Sequence, residues 1–327
     1  MKEMTLKELN GLSMIWEKSR ILFTGIELNI FDFLKKPISS IELSQKLDIS
    51  RRYLDRFLNS LVAIGVLKKD KNLFQNTPMA NKYLNRKSEN YLKGLKHINN
   101  MYHYWCQLTR VIKEGKPATK FQDIRHPENW IENFIEGMQQ FSSEKSTKIV
   151  ELIDTSRIKN FLDLGGGSGE YARALLKKDK KLKGTVFDIP EAIKIAKKYT
   201  ENSEVANRIK FLEGDFFKDP IGNNYDMVFI SNILHAFSLK ECEILFNKVY
   251  KSLNEGGLLV IHEHFIDESR TEPEYMALFS INMLVHTEDG DTYTEKEITE
   301  ILEKSNFRKL KVVETGFNSH ILTAQKV

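Results

Sequence analysis

The sequence predicts an α/β protein of two domains, in which a mostly parallel seven-stranded sheet with an antiparallel C-terminal strand follows a smaller, mostly helical domain. From residue 159 onward, apolar strand-like runs alternate with amphipathic helix-like runs, the grammar of a parallel sheet covered by helices on both faces. Before residue 95 the pattern is different: short helices and then one hairpin. At 327 residues the chain is too long for one small core. We place the domains at 1–95 and 96–327, with 96–158 a helical connector that also forms a pocket wall.

In the first domain, "SSIELSQKL" offers Ser39 and Glu42 as a capping box. Ser50 then opens a helix with Leu54, Phe57, Leu58, Leu61 and Ile64 on one stripe. "GVLKKDKNLFQNTPMANKYL" supplies two apolar pieces around a charged turn, completing a winged-helix pattern. Its second helix carries Arg51, Arg52 and Arg56 mixed with Asp55, which favours packing or dimerisation over groove reading. In the connector, Trp130, Phe134 and Met138 share a helix face, either as core or as the wall of a pocket.

The second domain then reads strand "NFLDLGG", helix "EYARALLKKD", strand "KGTVFDIP", helix "EAIKIAKKY", and strands "IKFLEGDFF" and "YDMVFIS". A helix with the capping box Ser238 and Glu241 follows, then strand "GGLLVIHEHF" and a helix capped by Thr294 and Glu297. "FRKLKVVET" and "SHILTAQKV" close the chain as a hairpin.

Bulk properties exclude several function classes. No apolar run approaches the ~18–20 residues that span a bilayer, so no membrane partner is expected. The start "MKEMTLKELN" lacks the apolar segment of a signal peptide. Cys106 and Cys242 are far apart and form no CxxC, which points to a reduced, cytoplasmic chain. The net charge of +4 is mild and Lys-rich stretches are flanked by acidic ones, so no nucleic-acid partner is expected.

The stretch most informative about chemistry is "NFLDLGGGSGEYARALL". A dinucleotide-binding loop needs GxGxxG, but Gly165, Gly167 and Gly169 give GxGxG and Glu170 stands where the last glycine belongs. Asp163, two residues before the first glycine, would repel a pyrophosphate and attract a cation. S-adenosylmethionine carries an ammonium and a sulfonium, and glycines let the backbone approach its aminoacyl end without Cβ clashes. Asp188, ending the next strand, can accept from both ribose hydroxyls, or cap the helix before Pro190. Asp215 in "EGDFF" can accept from an adenine amino group with the Phe216 ring alongside, or serve only its turn. Three acids at successive strand ends mark the crevice where open α/β sheets bind ligands.

With these residues in place, the chain resembles class I S-adenosylmethionine-dependent methyltransferases of the caffeate and acetylserotonin O-methyltransferase type, over nearly its whole length. "FLDLGGGSG", "FDIP", "EGDFF", "ISNILHAFS", "GGLLVIHEHF" and "TYTEKE" carry the resemblance. It implies a Rossmann-like catalytic domain and a homodimer formed through the winged-helix domain. It implies that His235 in "LHAFS" is the general base and Glu263 in "IHEHF" its supporting carboxylate. It matches Phe134 and Met138 to a pocket-facing FxxxM pattern, and Ser231 to a position beside the adenine that is often lysine. It matches Thr292 to a second supporting glutamate, here absent, and Ala236 and Phe237 to an Asp–Trp pair.

The expected reaction is methylation of a hydroxyl on a small, largely apolar or aromatic metabolite. In-line transfer needs alignment of the two substrates and a base to take the hydroxyl proton. Glu263 would hold the imidazole tautomer and stabilise the imidazolium. His286 in "NMLVHTEDGD" is a second candidate for touching the acceptor. His262 and His264 alternate with Glu263 and should face the other side of the strand, and with no third ligand evident no metal is expected. Carbon, nitrogen or sulfur acceptors remain open on the same fold. A nucleic-acid methyltransferase is disfavoured because "SNILHAFS" has no proline pair, and a SAM-sensing DNA-binding regulator is the rival from another class.

Overall fold

The computed structural model describes residues 3–118 and 130–327; the part of the connector at 119–129 lies outside the described residues. The chain divides into two compact units, with the boundary between Asn99 and Asn100.

In the first unit, strands β1 (Ile38–Ser39), β2 (Leu67–Asp70) and β3 (Leu73–Asn76) form an antiparallel sheet of order β1-β3-β2. The helix Arg51–Ala63 buries Leu54, Leu58 and Leu61, the stripe that its spacing predicts. Two cap expectations need correction. Ser50 occupies the N-cap position but its hydroxyl makes no cap bond. Ser39 does accept the Glu42 N–H at 3.2 Å, but the reciprocal half of that box is replaced by a Glu42–Lys46 ion pair at 2.9 Å. Arg51, Arg52 and Arg56 are exposed, while Asp55 accepts from Ser40 (2.7 Å) and Asn59 (3.0 Å) and so ties this helix to its predecessor, Ser40–Leu47.

The second unit holds β4 (Asn160–Leu164), β5 (Lys183–Asp188), β6 (Ile209–Glu213), β7 (Tyr225–Ser231), β8 (Leu253–Glu263), β9 (Phe307–Glu314) and β10 (His320–Lys326). They form one sheet of order β6-β5-β4-β7-β8-β10-β9. The first five are parallel, β10 runs antiparallel to β8, and β9 antiparallel to β10. The order reverses at β4, which opens a crevice at the carboxyl ends of β4, β5 and β7.

Strand alternation sorts the core. Phe161, Met227 and Phe229 face the helices Ser146–Glu151 and Glu170–Lys178, with Ile149, Leu175 and Leu176. Leu162, Leu164, Val228 and Ile230 face the helices Leu239–Ser252 and Glu295–Lys304, with Phe246, Val249, Ile298 and Leu302. Two of the three predicted capping boxes, Ser238–Glu241 and Thr294–Glu297, form with both halves present.

Among the described residues of the second unit, one helix has no counterpart in the sequence reading. Glu274–His286 is apolar around much of its circumference, so no stripe announces it, and it buries only Met276, Met283 and Val285.

Ser238→Ala removes a capping box from a helix packed on the central core. It should cost about 1 kcal/mol and lower the melting midpoint by roughly 2–4 °C, read by circular dichroism.

Candidate active site

The glycine loop is held by the strand beside it. Gly165 N–H donates to the Phe187 carbonyl at 2.8 Å, and Gly167 N–H donates to Asp188 Oδ2 at 2.7 Å. The other Asp188 oxygen accepts the Ile189 N–H at 2.7 Å, and the next helix starts with no side-chain cap. Asp188 is therefore not a helix cap. Burial raises its pKa, and the two N–H donors oppose that shift. Gly167 lies at φ +55°, and a Cβ there would meet no atom within 4 Å, so space lies over this turn of the loop.

Asp163 sits near the end of β4. It is 1% exposed and lies beneath the loop: a Cβ on Gly166 would come within 2.8 Å of its carboxyl. It accepts the Ala172 N–H, and its Oδ2 has no partner. Burial, then the neighbouring Asp188 charge, pushes this carboxyl up to about 7. It is a buried acceptor directly beneath the glycine loop.

Gly214 N–H donates to the Asp188 carbonyl at 3.0 Å, which brings the turn after β6 to the same strand end. Asp215 there accepts from Phe217 N–H (2.9 Å) and Lys218 Nζ (2.7 Å), so its carboxylate is engaged within its own turn. Phe216 packs edge-on against Phe237 at 5.5 Å, so the residue in place of the expected tryptophan closes an aromatic cluster with Phe217. Ser231 is directed inward: its hydroxyl lies 2.9 Å from His262 Nδ1 and accepts from Asn232 at 3.1 Å.

A second centre forms where β7 and β8 end. His235, on the short 3₁₀ turn Leu234–Ala236, presents Nδ1 to both Glu263 oxygens at 3.1 and 3.2 Å. Glu263 is buried, with 3% of its side chain exposed, against 17% for His235. Burial alone would raise the Glu263 pKa; the His235 ring and the His264 N–H outweigh it and hold the carboxyl below its usual range. A carboxylate facing Nδ1 fixes the proton on that nitrogen and leaves Nε2 as an acceptor. Phe279, on the unanticipated helix, sets its ring edge-on to His235 at 4.9 Å. Only tertiary contact reveals Phe279, because nothing in its local sequence marks it.

The remaining predicted residues come from other elements. His286 lies seven residues beyond Phe279 on the same helix, with Nδ1 donating to the Asn282 carbonyl at 2.9 Å and its ring edge-on to Tyr104. Thr292 is fully buried and its hydroxyl has no partner; the segment reaches His235 at Gly290, where a Cβ would come within 2.5 Å of the His235 carbonyl. Phe134 is half-buried, with part of its ring against Ile135, Ala192 and Ile195. Met138 lies one turn further along the same helix, also half-buried. On the opposite face of β8 from Glu263, His262 is buried between Ser231 and Ser319 Oγ (2.9 Å), and burial pushes its pKa down to about 3.

A switch-point glycine loop, acids at successive strand ends and an imidazole–carboxylate pair at the neighbouring strand ends define the methyltransferase class of α/β fold. The chain belongs to the O-methyltransferase family: its O-methyltransferase domain matches residues 105–308 and its O-methyltransferase dimerisation domain matches residues 12–86. It is 28% identical to the tetracenomycin polyketide synthesis 8-O-methyl transferase TcmO of Streptomyces glaucescens, over 92% of this chain and 91% of that one. It is 31% identical to the acetylserotonin O-methyltransferase of Macaca mulatta, over 91% of each. The crystal structure of human N-acetylserotonin methyltransferase in complex with SAM superposes with a TM-score of 0.82, at 26% identity, over 99% of this chain and 98% of that one.

Because His262 is neutral when folded, stability falls with pH wherever the unfolded histidine takes up a proton and the folded one does not, from about 6.5 down to about 3. Between pH 7 and 5, urea unfolding of His262→Gln should therefore lose about 2 kcal/mol less than the native protein.

Proposed function

We propose that the protein transfers a methyl group from S-adenosylmethionine to a hydroxyl of a small, flat, mostly apolar acceptor, with His235 as general base and Glu263 as its orienting carboxylate. The paired geometry of His235 and Glu263 carries this reading.

The strand ends fit the donor. Space lies over Gly167, and Asp163 Oδ2 is a buried acceptor without a partner beneath the same loop. Asp188 has accepted two N–H groups; a carboxylate offers about four lone-pair sites, so capacity remains for two ribose hydroxyls. Gly165, Gly167 and Gly169 would pass the aminoacyl end, and Asp215 and Phe216 would border the adenine once Asp215 exchanges Lys218 for it. When bound, S-adenosylmethionine supplies a methyl group on a positively charged sulfur.

The chain's own residues do the rest. His235 Nε2 takes the hydroxyl proton as the oxygen becomes nucleophilic, a contribution of typically about 10²–10⁴-fold. Glu263 stabilises the resulting imidazolium across the Nδ1–H bond and keeps the ring in one tautomer. Phe279, Phe134 and Met138 offer apolar surface suited to an aromatic acceptor, His286 would supply a polar edge, and the neutral Thr292 would lie behind them. With Thr292 in place of a second carboxylate, His235 has one anionic partner.

The first unit we read as a winged-helix dimerisation module of a cytoplasmic homodimer. Its helix Leu6–Met14 buries no residue, and Leu6, Leu9, Leu12, Met14, Ile15 and Trp16 are all more than half exposed. A row of this kind calls for a partner surface.

His235→Ala should leave S-adenosylhomocysteine affinity unchanged by calorimetry and lower turnover at least about tenfold; unaltered turnover would move the base role elsewhere. Asp188→Ala should weaken S-adenosylhomocysteine binding about tenfold or more, as expected for loss of charge-assisted hydrogen bonds, and equal affinity would reject the ribose assignment. Sedimentation at micromolar concentration should show a dimer, and a monomer throughout would remove the dimerisation role.

A further inference from the structure

A buried polar cluster lies outside the centres described above. Arg173, only 6% exposed, sits on the helix that follows the glycine loop. Its Nη1 donates to the Ser168 carbonyl at 2.6 Å, inside the loop itself. Its Nη2 donates to Glu170 Oε2 (2.7 Å) and to Gln139 Oε1 (3.0 Å). The Ser168 hydroxyl also donates to Gln139 Oε1, and Gln139 Nε2 donates to Glu170 Oε2 at 2.6 Å. Ser146 donates to the other Glu170 oxygen at 2.9 Å, and the Tyr199 ring faces the guanidinium at 5.6 Å.

Gln139 belongs to the helix Trp130–Ser143, next in sequence to Met138 and five residues from Phe134. That helix holds the second unit in two ways. Ile135 and Phe134 pack on Ala192 and Ile195, while Gln139 enters the loop's hydrogen-bond network. Apolar contacts tolerate sliding, but a half-buried amide sharing one oxygen between a buried hydroxyl and a buried guanidinium does not, because any displacement leaves those donors unpaired. The loop is gripped on one side by Asp188 at Gly167 and on the other by this cluster at Ser168.

We infer that Gln139 and Arg173 are positioning residues that join the acceptor-wall helix to the cofactor loop, so that filling the cofactor site fixes the wall carrying Phe134 and Met138. The inference rests on the cofactor reading above. Coupling of this kind is reciprocal, so an ordered wall also tightens the hold on the cofactor.

Hydrogen exchange of the full-length protein, with and without S-adenosylhomocysteine, tests the link. In the native protein the ligand should slow exchange in both 165–170 and 131–143. Gln139→Leu should keep the first effect, lose the second, and weaken S-adenosylhomocysteine about fivefold. Ser168→Ala, which deletes a single hydroxyl, should show the same loss in weaker form and serves if the leucine variant does not fold. Protection of 131–143 that is absent in the native protein, or retained in full by the variants, overturns the inference. If the native protein shows no protection at 165–170, the cofactor reading falls, and this inference with it.

Discussion

The carboxylate of Asp188 is the contact on which the site's geometry depends. A tight glycine loop at the head of a parallel strand turns backbone N–H groups into a buried space where no sheet partner can reach them, and an unpaired donor there is costly. Asp188 meets one of those donors at Gly167 and a second at Ile189. In doing so it locks the loop after β4 to the end of β5. The Gly214 N–H on the Asp188 carbonyl adds the turn after β6. Three strand ends are thereby fixed around one residue, and the space over Gly167 is defined by that arrangement.

The imidazole–carboxylate pair follows from the same sheet. Parallel pairing of Ser231 with His262 sets the ends of β7 and β8 level. The chain leaving β7 then meets the last residue of β8, and His235 reaches Glu263. The last two residues of β8 and the one after them divide their work. Glu263 faces the reactive imidazole, while His262 is a neutral internal bridge between serines. His264 donates its backbone N–H to Glu263 at 2.9 Å. A shift of one residue in register would exchange an anion for a neutral ring at the position facing His235.

The buried ionisable groups show how one scaffold shifts two carboxyls in opposite directions. Asp163 and Glu263 are both carboxyls with almost no exposure. Asp163 has one N–H donor and a nearby like charge, and burial wins, raising its pKa. Glu263 has an imidazole and an N–H, and the partners win, lowering it. Burial is common to both, so the difference lies in the number and sign of the neighbours.

Much of this was written in the sequence. Strand and helix periodicity, two complete capping boxes, the glycine loop and the His235–Glu263 match all depend on local spacing or short motifs, and those survive without coordinates. The sequence did not reveal that Asp163 lies under its loop, that Ser231 turns toward His262, or that Asp215 is engaged by its own turn. Nor did it reveal the helix Glu274–His286, which places Phe279 on His235, or the Gln139–Arg173 cluster, whose members lie more than 30 residues apart. Those features are settled by which polar atoms find partners once distant elements pack together. A side chain's direction follows from that pairing, and no local pattern encodes it.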